Sequence, residues 1–74
     1  SAGAPEGYMS VKRIARELSV ADRAIGNIIT ELGDELGEPI KARFGTKITS
    51  AFSPEQVEMI RQALEKKREQ KPTE

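Results

Sequence analysis

Seventy-four residues suffice for one domain around one modest core. Twelve Lys and Arg balance twelve Asp and Glu, so the formal net charge is zero and any basic surface must be local. The lack of Cys and His removes disulfides, thiolate chemistry and histidine acid–base catalysis. No cofactor or metal is expected, and no acid is paired with a base, so the chain reads as a non-enzyme. No apolar run approaches the roughly 18 residues of a membrane span, and Ser1 to Gly7 lacks the basic start and apolar middle of a signal peptide. No membrane partner and a cytoplasmic location are therefore expected.

Residues 1–7 are small, polar and aperiodic, as in a flexible linker or tag remnant, and residues 68–74 read as a frayed tail. The folded domain is expected over 8–67, in keeping with one module of a larger protein. Val11, Ile14, Ala15 and Leu18 recur at helical spacing behind Ser10, a suitable N-cap. A first helix over 11–18 follows. Ala21, Ala24, Ile25, Ile28, Ile29 and Leu32 resume the period, and Ser19 with Asp22 has the spacing of a capping box. A second helix is thus expected over 20–32, with Gly33 as its left-handed stop and Ile25 among the most buried residues.

Gly33 to Pro39 is an acidic loop, with one helical turn expected near Leu36. Ile40, Ala42 and Phe44 alternate with Lys41 and Arg43, and Ile48, Ser50 and Phe52 alternate beyond Gly45. This is a hairpin pattern. A three-residue loop, Gly45-Thr46-Lys47, places Phe44 opposite Ile48 and keeps the apolar side chains on one buried face. Ser53-Pro54-Glu55-Gln56 then combines an N-cap, a first-position proline and a capping box. A third helix is expected over 54–67, burying Val57, Ile60 and Leu64.

The run Val11-Lys-Arg-Ile14-Ala15-Arg-Glu-Leu18-Ser19-Val20-Ala-Asp-Arg-Ala-Ile25-Gly-Asn-Ile28 resembles the helix-turn-helix of bacterial DNA-binding proteins. Ala15 is small at the helix crossing, and Val20 plugs the turn. Ser19 departs from that pattern, which often has Gly there. With the hairpin and Phe52-Ser-Pro-Glu-Gln-Val57, the stretch from about Tyr8 to Leu64 resembles the winged helix-turn-helix of MerR-type regulators and phage excisionases. The implied fold is mainly α with a small β hairpin, a three-helix core plus wing.

The resemblance implies a nucleic-acid-binding module for transcription regulation, with duplex DNA favoured and RNA the alternative. The second helix would enter the major groove and the wing would lie on the backbone or in the minor groove. Its outward positions are Arg23, suited to guanine, Asn27, suited to adenine, Gly26, which permits close approach, and Thr30. Lys41, Arg43 and Lys47 from the wing, with Lys12, Arg13 and Arg16 from the first helix, would meet phosphates. Asp22 reads as a cap rather than a base contact. Glu31, Asp34, Glu35 and Glu38 would repel phosphate if they faced it. They keep open an accessory module that binds RNA or protein within a larger translation or RNA-processing protein.

Overall fold

A computed structural model describes residues 4–70. Its elements are α1 (Val11–Leu18), α2 (Asp22–Leu32), a 3-10 turn (Gly33–Glu35), β1 (Ile40–Phe44), β2 (Lys47–Ala51) and α3 (Pro54–Gln70). Three helices and one antiparallel hairpin make the protein mainly helical, as the periodicity predicts. The expected linker falls partly, and the expected tail mostly, outside the described residues.

α1 has its predicted bounds, and the Ser10 hydroxyl accepts from the Arg13 N–H at 3.2 Å. Its other end corrects the expected capping box. Ser19 closes α1 in the left-handed region (φ 60°) instead of opening α2. The Ser19 N–H donates to Arg16 O at 3.2 Å and the Val20 N–H to Ala15 O at 2.9 Å. Those two bonds satisfy carbonyls that the helix end would otherwise leave bare, and they win over the N-cap role. α2 consequently begins at Asp22, two residues later than expected, with Ala21 as an extended N-cap that makes no side-chain bond. A left-handed residue is where glycine carries no Cβ penalty. Ser19→Gly is therefore expected to stabilise the fold by about 0.5–1 kcal/mol, once the extra unfolded-chain freedom of Gly offsets part of the relieved strain. Urea unfolding would read this as a higher midpoint at unchanged slope. A lower midpoint would mean that the turn is held differently.

Ile14, Ile25, Ile28 and Ile60 are the largest fully buried side chains, so all three helices meet at one core. Ala15 is 2% exposed in that cluster, as its small size at the helix crossing requires. Leu36, 4% exposed, joins it from the loop after α2. Gln56 holds that loop in place: its Nε2 donates to the carbonyls of Leu36 at 3.1 Å and Glu38 at 3.3 Å. The same side chain completes the predicted capping box with Ser53, through bonds of 2.8 and 3.1 Å. α3 runs to Gln70, three residues past the expected end. On its exposed face Arg61 pairs with both Glu58 and Glu65. Hydrogen bonds from Arg61, then Gln62, hold the Glu58 carboxyl below its ordinary range.

The hairpin register differs from the expected one. Phe44 faces Lys47, Arg43 faces Ile48, and Ile40 faces Ala51, around a two-residue turn at Gly45-Thr46. φ is positive at Gly45 (68°) but not at Thr46, the pattern of a type II′ turn with Gly first. This turn matches the twist of the strands, whereas a three-residue loop wants its glycine last. The shift by one residue moves side chains between faces. Ile48 becomes 64% exposed, Ile40 is 42% exposed on the opposite face, and Ala42 and Ala51, which share that opposite face, are buried. Phe44 is only half-buried. Phe52, just beyond the hairpin, is 2% exposed and belongs to the core. It also exchanges both backbone hydrogen bonds with Met9, at 3.0 and 2.8 Å, so the segment before α1 pairs with the base of the hairpin.

Candidate nucleic-acid interface

α2 buries Ile25 and Ile28, with Ile29 and Leu32 packed at the margin. Its opposite face presents Arg23, Gly26, Asn27 and Thr30, a spacing of i, i+3, i+4 and i+7 that forms a single row. Arg23, Asn27 and Thr30 are exposed, and Gly26 lies half-buried between them. A Cβ built at Gly26 would meet nothing within 4 Å. Close internal packing therefore does not explain this glycine, although it weakens a helix interior by roughly 1 kcal/mol relative to Ala. The Thr30 hydroxyl donates to the Gly26 carbonyl at 3.1 Å. Its proton is committed to the helix, so Thr30 can offer an external partner only acceptor lone pairs.

The register divides the hairpin cations. Lys41 and Arg43 share one face of the hairpin with Ile48 and Ser50, while Lys47 lies across from Phe44 on the other. The three hairpin cations, expected to meet phosphates together, therefore do not share a face. Lys47 instead joins Lys12 in lining a cleft of about 440 Å³ between the start of α1, the start of α2 and the hairpin. A second hollow, about 180 Å³, is lined by Ser10, Lys12, Arg13 and Arg16. Because Ser10 and Lys12 line both, Lys47 of the hairpin and Lys12, Arg13 and Arg16 of α1 lie along one edge. The structure thereby brings together Lys12, Arg13, Arg16 and Lys47, and sets Lys41 and Arg43 on the far side of the hairpin.

Ion pairing spares nearly all of these groups. The pairs formed among the described residues include one of the candidate cations, Arg13, whose Nε lies 3.8 Å from Glu17 with both side chains more than half exposed. Such a pair contributes little to stability. Glu31, feared as a repulsive neighbour, instead pairs with Lys67 of α3 at 2.5 Å. The acidic 3-10 turn, with Asp34 and Glu35, also follows the C-terminal end of α2. α2 has eleven residues, so ten rises of 1.5 Å put that end about 15 Å from Asp22. Zero net charge conceals an uneven distribution along α2: Lys12 and Lys47 lie beside Asp22 at its start, and Glu31, Asp34 and Glu35 lie toward its end.

Of the eight residues lining the cleft only Lys12 and Lys47 are site candidates on sequence alone; Asp22, Phe44 and Ile48 are among those that are not. Asp22 reads there as a cap, and Phe44 and Ile48 as core. Gly45 directly before Thr46 is the signal for the two-residue turn that exposes Ile48. Comparison with protein-family models, with curated proteins and with solved structures finds no match for this chain.

Proposed function

We propose that the protein is a winged helix-turn-helix module that binds duplex DNA, with α2 in the major groove and the hairpin as the wing. The observation that carries this reading is the row on the helix face opposite the core, with Arg23, Asn27 and Thr30 exposed and Gly26 half-buried between them. In this arrangement Arg23 donates a bidentate pair to guanine O6 and N7, and Asn27 pairs with adenine N6 and N7. Gly26 lets the backbone of α2 approach the groove floor, which accounts for a glycine that nothing inside the protein demands. Lys12, Arg13 and Arg16 hold phosphates along α1 together with Lys47 of the wing, and Lys41 and Arg43 meet the backbone from the opposite face of the wing. These contacts set the register of the protein on DNA, and the row on α2 reads sequence. Regulation of transcription is the use such binding would serve.

Titration with duplex DNA, tRNA and single-stranded RNA, at low and then higher salt, tests this directly. If all six cations engage, affinity for duplex should fall with a log–log salt slope of roughly −5, or about 10³-fold between 50 and 200 mM. Tighter binding of tRNA, or no duplex binding at low salt, would replace the DNA reading with the accessory RNA-binding or protein-binding module. Gly26→Ala adds an independent check. Open space around the position predicts a gain of up to about 1 kcal/mol in stability. The same methyl should weaken duplex binding. A variant that is more stable and binds equally well would remove Gly26 from the interface.

A further inference from the structure

The larger cleft holds more than phosphate binding requires. Its volume, about 440 Å³, falls within the roughly 300–1,000 Å³ of small-ligand sites. Val11, Phe44 and Ile48 supply apolar wall, Lys12 and Lys47 supply positive charge, and Asp22 supplies a carboxylate. We propose that this cleft holds one unstacked nucleotide, a proposal that rests on the nucleic-acid reading above and adds a second subsite to it. The base lies against Phe44 and the aliphatic side chains, the phosphate meets the Lys12 and Lys47 ammonium groups, and the base edge donates to Asp22.

The mixed lining is what selects this occupant. An inorganic phosphate would use the lysines and leave Phe44 and Ile48 without a role. An apolar peptide segment would cover the aromatic wall and desolvate two ammonium groups and a carboxylate without partners. A nucleotide answers both halves, because every base has a π face and every phosphate a charge. Asp22 adds selectivity. Its carboxylate only accepts, so it favours the amino group of cytosine over thymine, whose single N–H donor sits between two carbonyl oxygens that the carboxylate repels.

The test is an NMR titration of the whole chain with short oligo-deoxycytidine and oligo-thymidine strands of equal length at neutral pH, beside a duplex. The expected result is movement of the Val11, Phe44 and Ile48 signals, with several-fold tighter binding of the cytidine strand. Asp22→Ala should abolish that preference and strengthen thymidine binding. Lys47→Ala and Ile48→Ser, both at exposed positions, should weaken both strands several-fold without unfolding the protein. Equal affinities for the two strands in the unaltered protein, or silent cleft signals, would overturn the proposal. Silent cleft signals beside duplex-induced shifts along Arg23 to Thr30 would do so while leaving the duplex reading standing. Shifts in the cleft with single strands, and none on α2 with duplex, would sink the duplex reading and keep this one.

Discussion

Ile25→Ala is expected to leave much of the population unfolded. Ile25 is 0% exposed and sits where α2 meets the shared core. Removing three carbons there loses the transfer free energy of the side chain and leaves a cavity that the backbone cannot close. The combined cost is about 2–5 kcal/mol, set against a total stability of roughly 5–15 kcal/mol for ordinary domains and less reserve in so small a chain. Denaturant unfolding followed by circular dichroism measures it. Ile48→Ala supplies the contrast in the same assay, because Ile48 is 64% exposed and its truncation should change stability by less than about 0.5 kcal/mol. Equal losses at the two positions would mean that the hairpin register is wrong.

The other large effect is expected in binding, where the proposed reading and positioning residues should separate. Arg23→Ala or Asn27→Ala should cost about 1–3 kcal/mol on a preferred duplex site, a factor of roughly 5–150, and little on random DNA. Replacing Lys41 and Arg43 together should weaken binding to every sequence alike and reduce the salt slope by roughly 0.9 for each phosphate no longer neutralised. Mobility shifts on specific and random duplexes at two salt concentrations provide both numbers. General electrostatic attraction reproduces the second result but not the first. If Arg23→Ala and the Lys41/Arg43 double variant lose affinity in parallel on all duplexes, α2 does not read bases.

The helices are legible because helical periodicity and caps are local. Val11, Ile14, Ala15 and Leu18 define α1 wherever they occur, and Ser53 with Gln56 starts α3 by a reciprocal pair of bonds. The exposed row on α2 is legible for the same reason, since fixing Ile25 and Ile28 inward fixes Arg23 and Asn27 outward. Ser19 shows where local reading fails. Its hydroxyl is three residues from the backbone of Asp22, but its own backbone closes α1 first, and one residue cannot hold both conformations.

Sequence by itself therefore determined the helix order, the hairpin, the burial of Ile25 and the outward set on α2. Tertiary structure decided which face of the hairpin is inside. Alternation marks two faces without saying which one is covered, and here the face of Ala42 and Ala51, not that of Ile48, is the buried one. That choice sends Lys47 toward Lys12 and opens the cleft beside Asp22. Tertiary structure also paired Glu31 with Lys67 across 36 residues, taking a feared negative charge into an ion pair with α3. Pairings between residues far apart in the chain leave no periodic trace, so only the folded arrangement could place these charges.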